Sequence, residues 1–273
     1  MINHPETEGI ASKNHRRIWQ VPIMNNYITT HGPCSATCVG IAVVILFLFL
    51  SVTTIQAEGE KEILFHEDFV DLEAWEPFTF PKIGRHSSYS ILQEGAVSYL
   101  RAESRASASA LLYKNSFDIM RYHKVRWRWK IEKVYERGNA AEKTGDDYPI
   151  RVYVMFKYDP QSAGFKERLT YGIAKAFYGE YPPHSSLNYI WGNKSQEKAV
   201  IPSPYTDRSM MIVVESGTEK ANAWVDEAVN ILDDYRKAFG KSPPSTASIA
   251  IMNDSDNTGE NSVSYIDFIE VYR

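Results

Sequence analysis

Residues His123 to Glu132 read HKVRWRWKIE. Val125, Trp127, Trp129 and Ile131 fall on one side, and Lys124, Arg126, Arg128 and Lys130 on the other. A two-residue period places alternate side chains on opposite faces of an extended chain, so this is a strand with one face in a core. Ile150–Phe156 and Met210–Glu215 have the same character. Shorter strands are expected at Ile63–Val70, Tyr89–Leu92, Ala96–Ala102, Ala108–Tyr113, Leu187–Trp191 and Ser248–Met252, with a closing strand over Val263–Tyr272. Trp75 and Phe78 fall in a turn-rich stretch with Pro77 and Pro81.

Helical signal is sparse. A short helix is expected around Leu169–Phe177. Ala223–Phe239 is partly helical, because Trp224, Ala228, Ile231, Leu232, Tyr235 and Phe239 share a face and Gly240 provides a stop. Many short strands and one or two short helices predict an all-β fold, a two-sheet β-sandwich of the jelly-roll class. In such a fold the first and last strands commonly pair.

The sandwich does not include the whole 273-residue chain. Val39–Val52 is an uncharged apolar run, preceded by Lys13, Arg16 and Arg17 and followed by Ala57 and a charged stretch. That order describes a secretory signal cut after Ala57. An uncleaved inner-membrane anchor over residues 39–55 is the alternative, although the run is shorter than the ~20 residues of a spanning helix. The expected organisation is a signal or anchor over 1–57 and one sandwich domain over 58–273. Cleavage would remove three basic and two acidic residues, leaving 216 residues with net charge −5. Cys34 and Cys38 both precede the apolar run, so the exported part needs no disulfide. A mildly acidic, mixed surface gives no reason to expect nucleic acid, and the membrane is met only through the N-terminal segment. No P-loop, dinucleotide fingerprint or G-x-S-x-G occurs, so no nucleotide or redox cofactor is expected. His66, His86, His123 and His184 show no metal-binding spacing.

The chemistry concentrates in Gly145–Phe156, GDDYPIRVYVMF. Asp146 and Asp147 stand before a strand that carries Arg151 among core residues. A buried arginine needs an acid partner. A neighbouring strand would supply it, with Glu215 the candidate. A ligand surface would comprise Arg151, Tyr153, Asn188, Trp191 and Glu215, with rings stacking on sugar C–H faces and charged groups binding hydroxyls or acids. The plainer alternative is a structural ion-pair network. Asp146, Asp147, Arg151 and Glu215 are also the catalytic candidates: glycosidases hold two carboxyls ~5 Å or ~6.5–9.5 Å apart, and Asp147 with Glu215 could form such a pair. Asp254–Glu260, DSDNTGE, places oxygen ligands at alternate positions, so Asp254 and Asp256 are candidate calcium ligands; otherwise it is a polar turn.

HEDF (66–69), VRWRWKI (125–131), TGDDYPIRVYVMF (144–156), NYIWGN (188–193), VVESG (213–217), NILDDYRKAFG (230–240) and MNDSDNTGENSVSYIDFIEV (252–271) together resemble the bacterial family named domain of unknown function 3047. The resemblance implies an exported bacterial protein, periplasmic or extracellular, with no assigned activity. More loosely, the HEDF opening, the W-x-W strand and a closing strand with Asp267 resemble concanavalin-like, galactose-binding and other carbohydrate-binding jelly rolls. That resemblance implies a structural calcium held by Glu67, Asp68 and Asp267. The expected function is binding of a glycan or another cell-envelope component. A glycan-active hydrolase or lyase and a purely structural envelope protein are the alternatives.

Overall fold

The computed structural model describes residues 61–273 apart from 162, 179–180 and 195–198. The apolar run, both cysteines and the cleavage position lie outside the described residues. Among the described residues, no helix is long and apolar enough to cross a membrane.

In chain order the strands are β1 (Ile63–Glu67), β2 (Trp75–Phe78), β3 (Ser88–Glu94), β4 (Val97–Arg105), β5 (Ala108–Tyr113), β6 (Phe117–Asp118), β7 (Lys124–Ile131), β8 (Arg151–Phe156), β9 (Ser185–Gly192), β10 (Val200–Pro202), β11 (Ser209–Ser216), β12 (Val225–Asn230), β13 (Thr246–Asp254) and β14 (Asn261–Tyr272). Helix α1 (Phe165–Tyr178) lies between β8 and β9, and α2 (Ile231–Phe239) follows β12. One sheet has the order β12-β7-β14-β4-β3, with β1 also pairing to β14. The second runs β10-β11-β9-β8-β13-β5-β2, with β6 also pairing to β13. Pairing is antiparallel except between β9 and β11.

The expected sandwich is present, and β1 does pair with the last strand. Its core lies where the alternation of β7 puts it. Trp127 packs 5.4 Å from Tyr189, and Trp129 5.8 Å from Trp191, ring centre to ring centre, across the two sheets. Large apolar side chains of this kind contribute roughly 1.5–3 kcal/mol each when fully buried.

Two expectations change. The 223–239 segment divides: Val225–Asn230 is an edge strand against β7, and helix begins only at Ile231. The Asn230 side chain sets that boundary by accepting from the amides of Leu232 and Asp233, which caps the helix start. Gly240, with φ 68°, ends the helix as expected. The Trp75–Phe78 stretch is a strand as well, at the edge of the second sheet beside β5.

Strand β14 carries a third correction. Its register shifts between Ile266 and Phe268. Before the shift Ser262, Ser264 and Ile266 are the buried positions; after it Ile269 and Val271 are. A bulge of this kind exchanges the two faces of a strand. Unbroken alternation would put Asp267 on the side of Ile269; instead it sits at the bulge, half-buried, with Arg128 3.3 Å away.

Past the bulge, Glu270 faces out of the first sheet yet is 1% exposed. It is aligned with His66 on one neighbouring strand and Arg126 on the other. Arg126 donates to both carboxylate oxygens, at 2.8 and 3.0 Å. His66 Nδ1 lies 3.1 Å away, and Lys61 completes the shell. Burial works against the Glu270 charge, but the bonds from Arg126, Lys61 and His66 outweigh it and hold the carboxyl at about 2.

Candidate functional site

Two sequence motifs, more than a hundred residues apart, meet at one end of the second sheet. Strands β8 and β13 pair with Arg151 opposite Met252, which leaves Asp254 beside the start of β8. Arg151 Nε donates to Asp254 Oδ1 at 3.0 Å, and Nη2 bonds Oδ2. The fork geometry of a guanidinium suits this two-point contact. Nη2 also donates to the Asp146 carbonyl at 3.0 Å, and Nη1 approaches Asp146 Oδ1 at 3.5 Å. Arg151 is 4% exposed. Its expected partner, Glu215, is therefore replaced by Asp254. Burial disfavours its charge, but the surrounding acids and tyrosines keep the guanidinium protonated.

Asp147 fixes the other half of the site. Its oxygens accept from the Asn257 amide side chain at 3.0 Å and from the Thr258 backbone at 2.5 Å, which ties it to the turn after β13. Asn193 holds the same loop, accepting from the Tyr135 amide at 2.9 Å and donating to the Asp147 carbonyl at 2.8 Å. Gly138 passes so close to Asn193 that a Cβ there would collide with it. The Tyr205 hydroxyl bridges Lys143 and Asn257 over the outside.

Asp147, Asp254 and Asp256 each bring a carboxylate oxygen within 4.8 Å of the others. This buried cluster could hold a metal ion. Asp146 adds a fourth acid, and Arg151 provides the positive charge. Burial pushes the Asp146 carboxyl up, and the Asp147 charge adds to the shift while Arg151 opposes it. Asp256 is raised too, first by burial and then by Asp147. An excess of carboxylates in a poorly solvated place is what a hard cation relieves.

The other sequence-derived residues are placed differently. Among the described residues, Glu67, Asp68 and Asp267 do not form such a convergent set. Glu67 caps its own loop instead, accepting from the Phe69 amide at 2.7 Å and from Trp75 Nε1 at 2.9 Å, while Asp68 is exposed. Trp191 does not face a ligand: it is fully buried between the sheets and donates to the Gly217 carbonyl at 2.9 Å. Glu215 pairs with Lys220 at 2.5 Å and accepts from the Ser216 amide. Its acidic neighbour is Glu227, whose carboxyl burial and the Glu215 charge push up to about 7. Parity along β12 could have indicated Glu227, since it falls between Val225 and Val229 on the inward face, but the helical reading of 223–239 concealed it.

Tyr153 and Asn188 do come together. They are aligned on β8 and β9 and lie on the outer face of the second sheet, opposite to the core residues Val152, Val154, Leu187 and Tyr189. One end of that face is closed where Ala140 and Tyr148 pack on Ile190 and Met211. Beyond that cover, Asn188 donates to Ser209 Oγ at 2.8 Å, and Ser186 to the same oxygen at 3.0 Å. Asn188 is 3% exposed, and its Oδ1 has no partner among the described residues. Ser186 and Ser209 also line a cleft of ≈ 330 Å³, with Pro182, Thr206 and Arg208.

A model of the family "protein of unknown function (DUF3047)" matches residues 73–270. The chain belongs to the DUF3047 family. No curated protein matches this DUF3047 member. Among solved structures, it is similar to the family 11 carbohydrate-binding module of the cellulase Lic26A-Cel5E of Clostridium thermocellum, at 11% identity and a TM-score of 0.38, covering 77% of this chain and 93% of the module. The carbohydrate recognition domain of Emp47p gives 11% and 0.38, over 77% and 95%. Endoglucanase 3 of Trichoderma harzianum, from family GH12, gives 8% and 0.36, over 80% and 100%. At this level of identity and superposition, these likenesses carry no functional argument for the DUF3047 chain.

Proposed function

We propose that the protein is an exported binding module of the cell envelope that holds a glycan on the outer face of the second sheet, beside Tyr153 and Asn188. The observation that carries this reading is the Asn188 amide. It is buried, and only its nitrogen has a partner. Rotating the amide by half a turn would satisfy the oxygen and orphan the nitrogen, so one polar atom stays unmet in either orientation. Such groups normally find a partner, and a sugar hydroxyl can serve either atom once the side chains over Asn188 move aside to admit it. The half-buried Tyr153 ring next to it offers an apolar face to sugar C–H groups. Ser186 and Ser209 extend the hydroxyl lining toward the cleft. Export is supported by the basic residues and apolar run upstream of Ala57.

The test is binding of soluble β-glucans, xylans, uronans and peptidoglycan fragments to the purified protein, by calorimetry and by shift of melting temperature. At least one class should bind. Asn188→Ala and Tyr153→Ala should each weaken it by about tenfold, the order of one lost polar or stacking contact. Absence of binding across the panel would sink the proposal.

The Asp147, Asp254 and Asp256 cluster is assigned, within the same proposal, to a structural calcium. Carboxylate oxygens are the ligands a hard cation prefers. The ion would fasten the 138–149 loop to the turn after β13, at the covered end of the binding face.

A further inference from the structure

The cleft beside the Asn188 strip continues past Arg208 into a larger one of ≈ 500 Å³. Thr170, Ser185 and Arg208 line both, so the two clefts are contiguous. The larger one has a different chemistry. Lys166, Arg208 and Lys241 bring three cations to it, against the carboxylates of Glu167 and Asp207. Glu167 is drawn toward His184, 3.7 Å from Nε2. Neither Lys166 nor Lys241 has a carboxylate partner among the described residues.

Arg208 stands at the junction with its orientation fixed. Nη1 bonds the Tyr171 hydroxyl, and the guanidinium carbon lies 5.0 Å from that ring's centre. Tyr171 is itself stacked on Tyr158 at 3.8 Å. The guanidinium keeps further donors for a planar oxyanion. The His184 pKa is lowered first by burial and then by Lys241, with Glu167 opposing and Arg208 adding to the shift. The cleft also holds Ser185 Oγ 2.8 Å from His184 Nδ1, a contact that brings a nucleophile to mind. That oxygen is, however, shared with the Tyr235 hydroxyl at 2.9 Å, on a residue 4% exposed. It is a buried anchor, so the cleft binds through its cations.

We infer that this cleft takes the carboxylate of a uronic acid, with Arg208 as the fork and Lys166 and Lys241 as flanking charges, making the ligand an acidic glycan that runs from the Asn188 strip past Arg208. The inference rests on the glycan reading above and names its substrate class. A neutral glycan would leave the excess positive charge of the cleft unused, whereas uronate carboxylates repeat along the chain at sugar spacing.

The deciding experiment titrates the full-length protein with hexagalacturonate, its fully methyl-esterified counterpart and cellohexaose. The ester keeps the sugar and removes the charge. The acid should bind about tenfold more tightly than the ester, the size of one well-placed charged contact. That preference should shrink with added salt, shrink further in Lys166→Ala/Lys241→Ala, and vanish when Arg208→Ala is added, all three being exposed positions. Equal affinity for acid and ester, or binding of cellohexaose alone, would overturn the acidic assignment and leave the glycan reading standing. Binding of none of the three would remove both.

Discussion

Two clusters of buried charge flank the sandwich, and they are built to opposite rules. On the first sheet one carboxylate, Glu270, is surrounded by Arg126, Lys61 and His66. At the end of the second sheet one guanidinium, Arg151, is surrounded by Asp146, Asp147, Asp254 and Asp256. The first is charge-satisfied and lies across three adjacent strands, so it fastens the chain's first strand to its last. The second carries excess negative charge that protein groups leave unbalanced. Structural ion pairing accounts for the first completely. The second combines a structural pair, Arg151 with Asp254, and a remainder that fits a cation.

The largest effect should come from breaking the structural pair within the acidic cluster. The sequence leaves Arg151 open between a ligand surface, where its loss weakens binding and spares the fold, and a structural ion pair, where its loss unfolds the protein. Its buried two-point contact with Asp254 favours the second. Arg151→Ala leaves Asp254 buried with no counter-charge, which costs roughly 3–5 kcal/mol. A large fall in melting temperature is expected, and near-native stability of this variant would mean that Arg151 belongs to a ligand site after all.

Next in size is Glu270→Gln, at about 3 kcal/mol near neutral pH, since it leaves Arg126 without its two-point partner. This effect has a definite pH window. The folded pKa, about 2, lies below the ordinary value of 4.5. The stabilisation is therefore complete above 4.5 and is lost as pH falls toward 2. Denaturant melts between pH 7 and 2.5 should show the wild type losing its advantage over Glu270→Gln. A constant gap across that range would refute the depressed pKa.

Strand identity was legible because β7 alternates without a break, and Gly240 marked its helix end. Beyond the pairing of β1 with β14, which strands neighbour one another was not, and the site depends on that. Asp147 and Asp254 each stand out in the sequence, but only the pairing of β8 with β13 joins them around Arg151. Trp191 shows a different limit. Both faces of β9 carry apolar residues, Tyr189 and Trp191 on one and Ile190 on the other, so parity alone cannot say which is the core. Asp267 leaves the Ile269 face and joins Glu270 on the outer one through a bulge that the residue pattern does not signal.

The smallest effect, and the sharpest test of the contrast, is Asp256→Asn. Asp146 and Asp256 are shifted upward, the opposite direction to Glu270. Without a cation, the native state then holds protons that the unfolded chain has released. The contribution of these two groups to stability falls as pH rises past the ordinary aspartate value of 3.8, whereas that of Glu270 has grown to its full value by 4.5. Removing one charge by Asp256→Asn should therefore raise stability in EDTA at pH 7, by about 1 kcal/mol or less given the partial exposure of the side chain. With calcium the order should invert, because the wild type gains stability that grows with the logarithm of ion concentration and the variant has lost a ligand. Melting both proteins in EDTA and in millimolar calcium measures the two signs together. If calcium moves neither protein, and Asp256→Asn is neutral in EDTA, the acidic excess is solvated and the two clusters differ only in composition.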